Sequence, residues 1–285
     1  MTWLVLGANG QLGQELINLL KTRNIEAIGT DQKEIDFAKP NEISEKLKKL
    51  NPSHIVNCGA YTQVDKAEEE PELANLINAQ AVGVIAKFAS EGQIPFVHIS
   101  TDYVFDGTAA SPYSENEKVN PKSVYGSSKA LGEKETVENN SAAYILRTAW
   151  VYGEYGNNFP KVIAKKLKNN EELNVVNDQI GSPTWTFDLA SAIVEVLEKK
   201  PEPGIYHVTN SESCSWFEFA QEIAKSINTD INLVKSTDSK SFVRPAVRPK
   251  YSVLSNSKWK NAGLTPLRSW KTAWDKAAPT VLSNL

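Results

Sequence analysis

The chain has 285 residues, 41% hydrophobic and 23% charged, with a formal net charge of −3. That length permits one large α/β domain, or a main domain with a smaller lobe, and the composition is ordinary for a soluble globular protein. There is no basic excess to suit nucleic acid or an anionic membrane, no apolar run long enough for a bilayer and no leader pattern, so a cytoplasmic protein is expected.

In chain order, Thr2-Trp3-Leu4-Val5-Leu6 reads as a short buried parallel strand. Gly7-Ala8-Asn9-Gly10-Gln11-Leu12-Gly13 follows at once, and Leu12, Leu16, Leu19 and Leu20 mark one face of a helix. Strand, glycine turn and helix in that order make the first unit of a dinucleotide-binding fold. Gly7 permits the tight turn, Gly10 lets the backbone approach a pyrophosphate, and Gly13 lets the helix pack close to the sheet. The pyrophosphate then meets the positive end of the helix.

A second strand is expected at 26–29, ending at Thr30-Asp31, where an acid suits the adenosine ribose hydroxyls of NAD. Lys33 lies close by and suits the 2′-phosphate of NADP, so both cofactors stay open. Phe37, after Asp36, either flanks the adenine or belongs to the core. A helix over 41–50 and a third strand, 54–57, lead into Gly59-Ala60-Tyr61-Thr62, a strand end small enough for a cofactor to cross. Val64 and Asp65 open an acidic stretch, Glu68-Glu69-Glu70-Pro71, which reads as a solvated helix start, and then comes a long helix to about Ala89. A fourth strand, 95–99, delivers Ser100 and Thr101 to its carboxyl end, and His98 is expected as a buried, satisfied histidine. The loop from Asp106 to Pro121 is long enough to serve a site. Cys58 and Cys214, the two cysteines, lack metal-ligand spacing and read as reduced structural thiols.

Pro121 is expected to begin the helix that carries Tyr125 and Lys129. Four residues apart, phenol and ammonium share one helix face, where the lysine lowers the phenol's pKa and readies it to exchange a proton. A fifth strand, 143–147, ends at Thr148-Ala149-Trp150. Beyond Gly153 the strand-helix rhythm loosens: Asn157-Asn158-Phe159 opens a helix with an Asn cap, while a helix over 187–199 and a strand over 204–208 return to the main sheet. The fold expected is α/β, a Rossmann-type doubly wound parallel sheet with a smaller C-terminal substrate-binding lobe. Residues 1–153, with returns near 186–210, form the NAD(P)-binding part, and 154–285 mainly the substrate lobe.

Taken in register, Gly7-x-x-Gly10-x-x-Gly13, Ser100-Thr101 and Tyr125-x-x-x-Lys129 resemble the extended short-chain dehydrogenase/reductases. Val64-Asp65-Lys66-Ala67-Glu68, Ser100 to Gly107, Arg147 to Gly153, Gly156-Asn157-Asn158-Phe159 and Asn177 to Thr184 further resemble the dTDP-4-dehydrorhamnose reductases. That resemblance implies reduction of the 4-keto group of dTDP-4-dehydro-L-rhamnose by NADPH or NADH, giving dTDP-L-rhamnose for cell-surface polysaccharide. By position, Gly10, Gln11 and Leu12 would meet the pyrophosphate, Asp31, Asp36 and Phe37 the adenosine, and Ala60, Tyr61 and Thr62 the cofactor further along. Thr101, Tyr125 and Lys129 would be the catalytic set. Val64, Thr101, Asp102, Tyr103, Trp150 and Asn158 would face the sugar nucleotide, and Arg248 would grip its diphosphate. Some relatives hold magnesium between subunits. Glu15 matches one such position, but Phe187 precedes Asp188 where those relatives have two acids, so no metal is expected. A homodimer is implied by the resemblance alone. The alternatives are another sugar-nucleotide epimerase or dehydratase, or a non-catalytic subunit like the regulatory subunit of methionine adenosyltransferase.

Overall fold

The computed structural model describes residues 1–283 and 285. Its centre is a six-stranded parallel sheet of β1 (Trp3–Leu6), β2 (Ala27–Thr30), β3 (His54–Asn57), β4 (Phe96–Thr101), β5 (Tyr144–Thr148) and β6 (Gly204–His207). In space the strands run β6-β5-β4-β3-β1-β2, every pairing parallel. The direction of winding reverses beside β1, which opens a crevice at the carboxyl ends of β1 and β3. Register makes that rim level: Leu6 stands opposite both Thr30 and Asn57, and Thr101 opposite Thr148.

Both faces of the sheet are covered, so its strands read as continuous apolar runs. Along β1, Trp3 and Val5 pack with Leu16, Leu20 and Ile193, whereas Leu4 and Leu6 pack with Ile43, Leu47 and Ile85. The first layer is built by α1 (Gln11–Thr22) and, later in the chain, by a helix over 186–199. The opposite layer begins with α2 (Pro40–Leu50).

The segment from Val64 to about Ala89, expected as an acidic stretch leading into one long helix, is divided. It consists of α3 (Val64–Ala67), α4 (Pro71–Asn75), one π-helical turn (Leu76–Gln80) and α5 (Ala81–Glu91). Pro71, at a helix start, begins the chain's helical path anew. The π-turn aims Asn78 into the protein, where its amide accepts from the Tyr61 N–H at 2.7 Å and donates to the Tyr61 carbonyl at 3.0 Å and to Ser128 Oγ at 2.9 Å. The acidic run is only partly solvated: Glu68 accepts from the Val124 N–H and Glu70 from the Tyr61 hydroxyl.

Pro121 does not begin the next helix. Ser123 is its N-cap, its hydroxyl accepting from the Gly126 N–H at 3.1 Å, and α6 runs Val124–Asn139. Two glycine-sized approaches seat α6: a Cβ on Gly126 would lie 2.2 Å from the Tyr103 carbonyl oxygen, and one on Gly132 2.1 Å from that of Asn78. After β5 come α7 (Phe159–Lys168), capped by Asn158, α8 (Thr186–Lys199), α9 (Trp216–Ser226), α10 (Ser257–Asn261) and α11 (Trp270–Val281). Elements α7, α9 and α11 enclose a second apolar core around Tyr152, Phe219, Trp270 and Trp274. Between α8 and α10 the chain returns to the main sheet as β6, which pairs with β5.

The seat of α6 yields a test. Gly132→Ala gains about 1 kcal/mol of helix propensity but drives a methyl group into a backbone carbonyl that Asn78's three hydrogen bonds hold in place. Overpacking of this kind costs about 1–3 kcal/mol, so urea unfolding should show a lower midpoint, and an equal or higher midpoint would contradict the packing described.

Candidate active site

A cleft of about 1040 Å³ crosses the carboxyl rim of the sheet, lined from the first turn of α1 to Trp150 and Trp216. Its dinucleotide-like end is built from backbone. Gly7 stands at φ +72°, and a Cβ there would lie 2.6 Å from the Gly59 backbone. A Cβ on Gly13 would lie 2.3 Å from the Gly7 carbonyl, so Gly13 serves helix–sheet packing and does not line the cleft. Gly10 is the N-cap of α1 without any side-chain cap, which leaves first-turn N–H groups for an anion. Gln11 and Leu12 line the same wall. These features fit a pyrophosphate.

Asp31, Asp36 and Phe37 line the next stretch, followed by Ala60, Tyr61, Thr62 and Val64. The Asp31 carboxylate accepts from the Lys33 N–H at 2.7 Å and from the Asn9 side chain, and those bonds hold its pKa below the ordinary value. Phe37 answers to both readings of it. It is a member of the core cluster with Ile43 and Leu47, and its ring edge also lines the cleft.

Thr101, Asp102, Tyr103, Tyr125 and Lys129 meet where β4 ends and α6 begins, all lining one wall. The Thr101 hydroxyl donates to Asp102 Oδ1 at 2.9 Å and accepts from the Tyr103 N–H at 3.2 Å. Tyr103 and Tyr125 stack edge to face at 5.5 Å. Burial pushes the Tyr125 phenol up to about 12, with the neighbouring Thr101 hydroxyl pulling the other way and the Asp102 charge adding to the rise. Burial likewise lifts Asp102 to about 6. Asp102 Oδ2 and Thr148 Oγ1 are buried without a hydrogen-bond partner among the described residues.

Lys129 departs from expectation. Its Nζ donates to the Ile99 carbonyl at 2.6 Å and lies 3.4 Å from His98 Nε2, and it makes no hydrogen bond to Tyr125. Four-residue spacing places Cα atoms on one face but leaves a long side chain free to turn inward, toward β4. The lysine therefore does not lower the phenol in this arrangement, and burial lowers the lysine itself to about 8.

A family model described as RmlD substrate binding domain matches residues 1–282. The chain belongs to the dTDP-4-dehydrorhamnose reductase family. It is 38% identical to the dTDP-4-dehydrorhamnose reductase of Streptomyces griseus, over 98% of this chain and 93% of that one. It is 40% identical to a Streptomyces antibioticus protein named a probable dTDP-4,6-dihydroxy-2-methyloxan-3-one 4-ketoreductase, over 99% and 96% of the two chains. The solved dTDP-4-dehydrorhamnose reductase of Bacillus anthracis, in complex with NADP, superposes with a TM-score of 0.93 at 37% identity, covering 97% of this chain and 98% of that one.

The far wall is aromatic. Trp150 adopts a left-handed backbone (φ +48°), uncommon for a bulky residue and a mark of local strain. Its indole lies over Gly181, where a Cβ would be 2.4 Å away, and stacks on Trp216 at 3.5 Å between centroids and 7° between planes. Trp216 escaped the sequence reading. Its signal is the capping box of Ser215 and Glu218, which starts α9 with the indole at the first helical position.

Two residues assigned to the sugar nucleotide are occupied elsewhere. Asn158 caps α7 through Oδ1, and its amide donates to Gln11 Oε1 at 3.0 Å and to the Gly153 carbonyl at 2.8 Å, so it braces α1 and is absent from the cleft wall. Arg248 lies outside the wall too, gripping Asp65 with bonds of 2.6 and 2.7 Å, a two-pronged hold that sets Asp65 at about 2. Arg244 adds a contact of 3.5 Å to the same acid. Glu15 accepts from Thr186, while Asp188 pairs with Arg268 and accepts from Asn210. Among the described residues no three His, Cys, Asp or Glu side chains form a cation-sized cluster.

The Asp65 grip makes a strap of the chain around Arg244 to Arg248. Asp65→Asn leaves both arginines without their counter-ion, and trypsin should then cut after Lys240 and Lys250 several-fold faster; equal cleavage of the two proteins would deny the tether.

Proposed function

We propose that this chain reduces the 4-keto group of dTDP-4-dehydro-L-rhamnose with NADPH or NADH, giving dTDP-L-rhamnose for cell-surface polysaccharide. The observation that carries the reading is the convergence of Thr101, Tyr125 and Lys129 on one cleft whose other end is a glycine turn suited to a pyrophosphate. Membership of a family whose relatives are named reductases of dTDP-4-keto sugars supports it. On this reading residues 1–153, with the return over 186–210, hold the dinucleotide, and 154–285 mainly hold the sugar nucleotide. A cytoplasmic location and a homodimer belong to the same proposal, resting on the resemblance; among the described residues no helix is long and apolar enough to cross a membrane.

A reduced nicotinamide, when bound along Gly59 to Thr62, supplies the hydride for C4 of the sugar. The protein's own part is to deliver a proton and to hold the oxygen. Tyr125 gives its phenolic proton to O4 as that oxygen becomes an alkoxide. A phenol held at about 12 keeps this proton in the resting site, yet remains far more acidic than the alcohol it protonates. Thr101 turns its hydroxyl from Asp102 to the carbonyl oxygen and so favours the charge that develops there. Trp150 and Trp216 present flat apolar faces to the pyranose and keep water from the reacting carbon. Lys129 supplies the ribose contact and the positive charge once it leaves its seat on Ile99.

Two substitutions test the assignment. Tyr125→Phe removes the proton donor with little change in shape, so turnover should fall about 10²–10⁴-fold while the dissociation constant for NAD(P)H stays within about 3-fold. Turnover close to wild type in a single-turnover assay would refute the mechanism. At the adenosine end, Asp31 accepts hydrogen bonds and repels a 2′-phosphate. Asp31→Ser should therefore raise the NADPH-to-NADH ratio of kcat/KM by about 10-fold, equivalent to about 1.4 kcal/mol. A ratio that does not move would take Asp31 out of cofactor selection.

A further inference from the structure

Lys129 sits inside a closed set of donors and acceptors. It is 2% exposed, and His98 and Asn57 are fully buried. On one side of the imidazole, Nε2 lies 3.4 Å from Lys129 Nζ; on the other, Nδ1 lies 3.2 Å from Asn57 Nδ2. Asn57 Oδ1 accepts from the Gly59 N–H at 3.0 Å, which settles the direction of the amide. An amide NH₂ has no lone pair to offer, so His98 Nδ1 is the acceptor there and a neutral ring carries its proton on Nε2. That N–H faces Lys129.

An ammonium has three donors and no acceptor. Placed opposite Nε2–H, it would set donor against donor in a site without solvent, the costly kind of buried mismatch. A neutral amine meets both neighbours, accepting from Nε2–H while donating to the Ile99 carbonyl 2.6 Å away. The other tautomer would need the Asn57 amide reversed, turning its NH₂ against the Gly59 N–H on the turn that floors the cleft.

We infer that His98, held by Asn57 with its proton on Nε2, stores Lys129 as an uncharged amine on Ile99 and so controls when the lysine carries charge. This rests on the reading of Lys129 as part of the catalytic set, and it makes His98 a positioning residue for that set.

The surroundings agree. Glu133, one turn further along α6, is the nearby anion, but Arg147 from β5 clasps it at 2.8 and 2.7 Å and Ser100 from β4 at 2.5 Å. From the end of β3, Cys58 is a thiol that burial keeps protonated, its pKa near 12. Tyr125, on α6 itself, is raised by burial. Burial lowers Lys129 to about 8 against the pull of Glu133, and it lowers His98 well below its ordinary value, which keeps the ring neutral. A lysine seated this way lends no charge to Tyr125. It gains its proton on swinging toward the cleft, where solvent or a bound polyol meets it.

The test needs no turnover. The full-length chain carrying ¹³C at lysine Cε is titrated by NMR, with the Lys129 signal identified by its loss in Lys129→Met. In the wild type it should titrate below about 8, the value to which burial lowers it, so that the seated amine is uncharged at neutral pH, against about 10.4 for an ordinary lysine. His98→Gln lets an amide oxygen face the amine, and its midpoint should rise by about one pH unit or more, a tenfold change. Asn57→Asp keeps the acceptor for Gly59, gives Nδ1 an acceptor in place of a donor, and should raise the midpoint at least as far. A midpoint of about 8 or above in the wild type overturns the inference, as does a lower one that His98→Gln leaves in place, whatever Asn57→Asp does through its added charge. A purely structural histidine would change the unfolding midpoint and leave the lysine titration alone. Turnover retained by Tyr125→Phe would sink the proposed mechanism and leave this titration standing.

Discussion

How closely α6 can lie against β4 and the π-turn decides the geometry of everything at the rim. The buried face of this helix is Gly126, Ser128, Lys129, Gly132, Glu133 and Thr136, which is small or polar throughout. An amphipathic helix docks by its apolar stripe; this one has none there and docks by close backbone approach and paired polar groups. The glycines admit the Tyr103 and Asn78 carbonyls, Ser128 meets Asn78, and Glu133 is held by Arg147 and Ser100. Buried polar groups are tolerable only when each is matched. The face that seats the helix therefore carries Lys129 inward with it and leaves Tyr125 at the edge of the cleft.

The central sheet was legible because its physics is local and repetitive. Short apolar runs, glycine turns and leucines at helical spacing place β1 to β6 within a residue or two. The helix expected over 41–50 was legible for the same reason and forms as α2 (Pro40–Leu50). What stayed hidden was set by contacts distant in sequence. The break at Pro71 and the π-turn at 76–80 exist to aim Asn78 at Tyr61 and Ser128, partners at 17 and 50 residues' separation. Pro121 suggested a helix start on local grounds, but Ser123 offered a side-chain acceptor to the first turn and Pro121 does not.

At the site, residue type proved a better guide than partner. Thr101, Asp102, Tyr103, Tyr125 and Lys129 line one wall of the cleft and Trp150 the far one, each close to a strand end or on α6. Arg248 and Asn158 do not line the cleft, because partners elsewhere in the chain already engage their side chains. Asp65, 183 residues from Arg248, satisfies the guanidinium in two places. Gln11 and Gly153 take the amide of Asn158. Trp216 was harder to find: the capping box of Ser215 and Glu218 marks a helix start there, but the role of the indole comes from lying flat on Trp150.

One tendency runs through the buried titratable groups where β4 meets α6. Burial raises Tyr125 and Asp102 and lowers Lys129 and His98, in each case favouring the uncharged form. The charged groups nearby are kept apart from the wall in matched pairs, Glu133 with Arg147 and Asp65 with Arg248. A wall that carries little net charge of its own costs little to desolvate when a ligand covers it. It also leaves a low-dielectric surface in which any charge that does appear is felt strongly. During reduction that charge is the developing alkoxide, and the hydroxyls of Thr101 and Tyr125 are the dipoles placed to meet it. Selecting against resting charge and selecting for response to transient charge are thus the same requirement, met by burying the same residues.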